Sequence, residues 1–175
     1  MRKRESLLKI TYTAIFSTII LLSTMLVKFS TGLGEGYIHF GDCFIYLSAC
    51  VLPFPYCLVA SAIGGALADI LGGYAVWAIP TAIIKILIAI PFMLICKKSN
   101  SAKIMNVKVS LMTVISGIIS MLGYFVTECV LYSVASATLS IIGNTIQAVA
   151  SGLLFVIIAT ALDKINFKSK IFKGV

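Results

Sequence analysis

Charge is scarce in this chain. Of its 175 residues only 11% are Asp, Glu, Lys or Arg, with six acids and a single histidine; an average soluble domain carries roughly 25%. A composition that is 60% hydrophobic cannot coat a water-facing surface with so few charges, so lipid must be the solvent for most of the molecule. No polar stretch is long enough for a second domain, and residues 1–175 read as one membrane domain.

Other absences remove whole chemistries. There is no GxxxxGK[ST] loop, so the chain cannot drive anything by its own ATP hydrolysis. Without HExxH or GxSxG, metalloprotease and acyl-transfer readings lack their residues. No internal repeat or low-complexity tract occurs, so the inverted-repeat logic of large carriers finds no support. The five cysteines, Cys43, Cys50, Cys57, Cys96 and Cys129, are odd in number, form no CxxC and lie in or beside apolar runs; they read as small buried side chains. His39 has no second ligand close in sequence, so neither a metal nor any other cofactor is expected.

The charges that do exist are ordered. Arg2, Lys3, Arg4 and Lys9 open the chain, Lys97, Lys98, Lys103 and Lys108 lie in one central segment, and Lys164, Lys168, Lys170 and Lys173 close it. Three basic clusters flanking apolar stretches follow the positive-inside pattern. A nucleic-acid surface would interleave its bases with polar and aromatic groups on a soluble fold, so nucleic acid is excluded as a partner.

A helix crossing the hydrocarbon needs about 20 apolar residues. The first run is too long for a signal-peptide core and reads as a retained helix. Between residues 43 and 96 only Asp69 and Lys85 are charged, and Pro53-Phe54-Pro55, Gly72-Gly73 and Pro80 divide the block into three. With the basic clusters on one side, parity then requires two more helices after residue 108. The expectation is an all-α integral membrane protein of about six transmembrane helices, near 10–29, 43–55, 56–72, 79–96, 109–128 and 139–162, with both termini cytoplasmic in a multi-pass plasma-membrane protein. Residues 30–42 read as an outer loop.

Polar groups at membrane depth tend to face a cavity or a partner. Asp69, Lys85, Glu128, Asn144 and Gln147 all fall in the outer half under this topology, beside the loop carrying Glu35, Tyr37, His39 and Asp42. That points to a polar pocket open to the outside. An ion pair of Lys85 with Asp69 or Glu128 that only fixes packing is the plainer alternative. Trp77, Tyr74 and Tyr37 could stack on a heterocycle or simply sit at the interface. Ala60, Gly64 and Ala68 form a small-residue face at intervals of four, as Ala14 and Thr18 do more weakly on the first helix, and such faces serve either internal packing or docking to another membrane subunit.

The run Tyr37-Ile-His-Phe-Gly-Asp42, then GGALADILGGY (64–74), Trp77, Pro80 and Ile84-Lys85 resembles the substrate-binding S components of energy-coupling-factor (ECF) vitamin transporters, the riboflavin-type branch above all. The resemblance implies a six-helix subunit that captures a vitamin outside and passes it inward through a separate transmembrane coupling subunit powered by two ATPase subunits. In that family small AxxxA residues on helix 1 meet the coupling subunit; Ala14 to Thr18 is the nearest match here. Family pockets use the first outer loop and the outer ends of helices 4 to 6, which correspond to 35–42, Lys85, Glu128, Asn144 and Gln147. The substrates implied are of the riboflavin, hydroxymethylpyrimidine, pyridoxine or thiamine type. An amine with carboxylates and amides suits a small neutral heterocycle, a pyrimidine or pyridine first and riboflavin next. A small membrane enzyme using Asp69, Lys85 and Glu128, or a ligand-free scaffold, are the competing readings.

The topology is testable directly. Cysteines placed in 35–42 should react with an impermeant thiol reagent added from outside, and a cysteine at Lys103 should not; labelling at Lys103 would refute the parity argument.

Overall fold

The structure, a computed structural model, describes residues 2–30, 37–98 and 103–171. In chain order these form α1 (Arg2–Met25), β1 (Lys28–Ser30), β2 (Tyr37–His39), α2 (Gly41–Val51), α3 (Tyr56–Leu71), a one-turn 3-10 helix (Ala75–Trp77), α4 (Ala78–Lys98), α5 (Val107–Leu131), α6 (Val134–Lys164) and α7 (Phe167–Ile171). Helices dominate because a chain in lipid must satisfy its backbone groups within each segment. The breaks fall at Pro53–Pro55 and at Gly72-Gly73, where Gly73 takes φ +87°, a conformation that a side chain would strain.

Several element ends differ from the sequence expectation. α1 stops at Met25 rather than position 29, because Lys28–Ser30 pairs antiparallel with Tyr37–His39. The stretch read as loop therefore contains the end of β1, all of β2 and the start of α2. α6 begins at Val134, where the Ser133 side chain caps it by accepting from the Ser136 amide. Pro91 lies inside α4 and removes one helical donor; nearby the Ser116 hydroxyl of α5 donates to the Ile88 carbonyl at 2.7 Å.

Among the described residues, four helical segments are long and apolar enough to cross a membrane: Lys3–Met25, Ala75–Cys96, Val107–Leu131 and Val134–Lys164. α2 and α3 are shorter. The eleven residues of α2 reach only ~16 Å at 1.5 Å per residue, about half of a ~30 Å hydrocarbon core. Ten of those eleven are buried, since α1, α3, α4 and α6 all pack around it. It is a pillar inside the bundle, with Phe44 its one partly exposed residue. Its Tyr46 ring stacks on Phe92 with centroids 4.5 Å apart, and Phe155 meets both edge-on.

The surface is inverted relative to a soluble protein. Leu111, Val114, Ile118 and Leu122 of α5 and Ile142, Ile146, Val149 and Leu153 of α6 are exposed, while Ser116, Ser120, Ser140 and Ser151 are buried. Small residues inside and large aliphatics outside are what lipid-embedded helices require.

The seam of Ala60, Gly64 and Ala68 is a correction. Ala60 and Ala68 are fully buried, and a Cβ on Gly64 would lie 2.8 Å from both the Ile20 side chain and the Ser17 carbonyl. The seam is used up by packing against α1 and faces no outside partner. Ala14 and Thr18 remain exposed. Gly64→Leu should therefore overpack the α1–α3 contact and cost about 1–3 kcal/mol or more, visible as a lower detergent melting temperature, while Ala14→Leu melts like the parent. Equal melting of both variants would refute this assignment.

Candidate functional site

The C-terminal ends of α1, α3 and α5 meet the N-terminal ends of α2, α4 and α6 and the hairpin at one end of the bundle. The described lysine clusters occupy the other end, where α4 and α6 finish and α1 and α5 begin. Asp42 enters from the first turn of α2 and is wholly buried. The positive end of a helix dipole favours a carboxylate there. One carboxylate oxygen accepts from the Lys85 ammonium at 2.5 Å and the other from Gln147 Nε2 at 3.1 Å. Gln147 in turn accepts from the His39 amide at 3.3 Å through its Oε1. The His39 carbonyl receives the Ser151 hydroxyl at 3.4 Å, and His39 Nδ1 accepts the Gly41 amide at 3.1 Å. One network thus ties the hairpin, α2, α4 and α6 together.

His39 is neutral in this setting. Burial first, and then the positive charge of Lys85, holds its imidazole down to about 3 against an opposing pull from Asp42. An accepting Nδ1 fits the neutral ring.

Above the network lies a cavity of about 50 Å³, room for a few waters. Seven of the residues singled out in sequence line it: His39, Asp69, Trp77, Lys85, Glu128, Asn144 and Gln147. Asp42 sits directly behind Lys85. Glu35 lies outside the described residues, and Tyr37 is placed only as a β2 residue opposite Ser30. The alternative weighed in sequence, an ion pair of Lys85 with Asp69 or Glu128, named other partners: the ion pair of Lys85 is with Asp42. In sequence Asp42 belonged to a loop with no fixed depth, whereas the start of α2 carries it into the core.

Sequence reasoning missed Thr24, Thr81 and Tyr124 and left Tyr74 open between ligand stacking and the interface, and all four line the cavity. The Lys85 ammonium stands 5.2 Å from the Tyr124 ring centroid, a cation–π contact. Trp77 makes tilted contacts with Tyr124 and Tyr132 at 6.0 and 5.9 Å and donates its indole N–H to the Tyr132 hydroxyl at 3.2 Å. Gly65 makes room for the lysine, since a Cβ there would lie 2.8 Å from Lys85 Cγ. The clue in sequence was helical spacing: Thr81 stands four residues before Lys85, and Tyr124 four before Glu128.

The sequence profile of the family described as ECF-type riboflavin transporter, S component, matches residues 4–164. The chain belongs to this family. A Pyrococcus woesei protein, described as an uncharacterized protein in gap 3′ region, is 33% identical over 129 residues, which is 74% of this chain and 84% of that protein. As an S component the chain is the substrate-binding subunit of a membrane transporter and not an enzyme.

The Asp42–Lys85 pair makes a sharp prediction. Lys85→Met leaves an uncompensated carboxylate in the core and should cost about 3–5 kcal/mol. The double variant Lys85→Met/Asp42→Asn removes both charges and should regain most of the lost melting temperature. A double variant no more stable than Lys85→Met alone would show that the pair is not what holds these helices.

Proposed function

We propose that this S component captures a small water-soluble vitamin or heterocyclic precursor from outside the plasma membrane. It then delivers the ligand inward through a transmembrane coupling subunit driven by two ATPase subunits. The observation that carries this reading is the convergence of polar and aromatic side chains from the hairpin and five helices on one cavity, at the end of the bundle opposite the lysine clusters. Basic residues are retained on the cytoplasmic side, which turns the cavity outward and gives a multi-pass chain with both termini inside.

The family's description makes a flavin the leading substrate. The tilted contacts among Trp77, Tyr124 and Tyr132 are those a flat heterocycle would replace by stacking. Ligand pockets span about 300–1,000 Å³, so these rings part when the ligand enters. Asn144, Gln147 and Thr81 supply donors and acceptors for its polar edge. Docking to the coupling subunit falls to Ala14 and Thr18, which line a groove of about 590 Å³ with Val59, Ile63 and Leu67 of α3.

Two variants separate capture from docking. Asn144→Leu should weaken riboflavin binding by about tenfold or more, measured by titration of the detergent-purified chain, with melting unchanged. Ala14→Leu should keep binding but lose uptake and co-purification with the coupling subunit. Wild-type affinity in Asn144→Leu would refute the pocket, and normal uptake by Ala14→Leu would refute the docking face.

A further inference from the structure

Two thiols stand together at the lysine end of the bundle, far from the cavity. Cys50 lies in the last turn of α2 and Cys96 in the last turn of α4, and these helices pack side by side, both running from the cavity end to the lysine end. The Cys50 and Cys96 side chains are hydrogen-bonded to each other. Both residues border a space of about 490 Å³ that Lys9 and Lys168 also line. Cys50 is buried and Cys96 partly exposed, so one thiol is shielded while the other meets whatever enters that space.

The remaining cysteines are placed differently. Cys43 is seven residues up the same helix, ~10 Å away at 1.5 Å per residue, beyond the Cα separation of about 4.4–6.8 Å that a disulfide spans. Cys57 is wholly buried at the start of α3, and Cys129 lies near the cavity end of α5. Small side chains that only filled the core would need neither an opening nor ammonium groups beside it. The Cys50–Cys96 pair has both, together with contact between its thiols.

We propose that Cys50 and Cys96 form a reversible redox pair, closed into an α2–α4 cross-link by a small anionic disulfide that enters beside Lys9 and Lys168. The Cys96 thiolate attacks one sulfur of the oxidant RSSR, forming Cys96–S–SR and releasing RS⁻. Cys50 then gives its proton to that RS⁻ and attacks the Cys96 sulfur. The second RS⁻ leaves and takes up the proton that Cys96 had lost. Two protein thiols are oxidised to one disulfide, and RSSR is reduced to two RSH. The two lysines draw in an oxidant that carries carboxylates. On the topology proposed above the site faces the cytoplasm, where cellular thiols keep the pair reduced at rest. α2 and α4 are already joined at the cavity end by Asp42 and Lys85, so a bridge at the lysine end fixes the same two helices at both ends.

The test treats the full-length chain, purified reduced in detergent, with glutathione disulfide. The product is alkylated, digested without reductant and mapped by mass spectrometry. Free thiols should fall from five to three, with one peptide linking Cys50 to Cys96, and dithiothreitol should restore all five. Because the link is read on the unaltered chain, no substitution has to fold for the test to decide. The double variant Lys9→Gln/Lys168→Gln should close at least about threefold more slowly with glutathione disulfide at low salt, yet at the parent's rate with uncharged diamide. Five free thiols after treatment, a lasting adduct of glutathione on Cys96, a bridge to Cys57 or a link between two chains overturns the redox pair. An unchanged rate in the lysine variant overturns the entry route and the assignment as stated.

Discussion

A lysine and an aspartate buried together in a bundle made for lipid are the constraint on which this structure turns. Neither group could stay charged alone at that depth, and each is fixed by the other and by a third group, Gln147. Satisfying Asp42 needs α4 to present Lys85, α6 to present Gln147 and α2 to begin at Gly41. The inner pillar, the hairpin base and two long helices are thereby placed relative to one another before any ligand is considered. Gly65 belongs to the same constraint, because the lysine stem crosses α3 where a side chain would stand.

The architecture was legible in sequence wherever lipid imposes a simple rule. Apolar runs, prolines and double glycines marked the helices, and the ordering of basic residues said which ends share a side. Lys85, Asn144 and Gln147 could be singled out because polar groups are conspicuous in apolar runs. Rotation about each helix axis was not legible. A chain in lipid is apolar on its outer face as well as its inner one, so no amphipathic stripe shows which way a helix turns. That is why the Ala60–Gly64–Ala68 face was open between packing and docking, and why Tyr124 and Thr24 passed unnoticed among similar neighbours. The partner of Lys85 was missed for another reason: the depth of Asp42 depends on where α2 starts, and an eleven-residue buried helix gives too short a hydrophobic signal to fix its end.

The two small-residue faces show how one sequence feature divides by role. On α3 the missing side chains let α1 approach until the Ile20 side chain and the Ser17 carbonyl fill the space. On α1 the face of Ala14 and Thr18 stays on the outside of the bundle. The first contributes to folding of the single chain, and the second is the face proposed above for docking. At the lysine end, the Asp163 carboxylate accepts from the consecutive amides of Ile104 and Met105 at 2.7 and 2.8 Å. An acid in the basic half thus ties the loop before α5 to the last turn of α6, far from the cavity.

The shortness of α2 also has an electrical consequence. Its last residues Ala49, Cys50 and Val51 border a space shared with Lys9 and Lys168, so the pillar stands on the lysine end and rises ~16 Å. Its tip, and the Asp42–Lys85 pair on it, then lie near the middle of a ~30 Å hydrocarbon layer. On the proposed topology, with the lysine end in the cytoplasm, anything reaching the cavity floor would have crossed roughly half of the membrane voltage, which acts on each unit charge with about 2.3 kcal/mol per 100 mV for a full crossing. For an uncharged ligand that voltage is invisible, and occupancy of the cavity does not depend on how energised the cell is. A cationic ligand would instead be drawn inward by an inside-negative membrane, so the same cavity would fill more readily in a polarised cell than in a depolarised one.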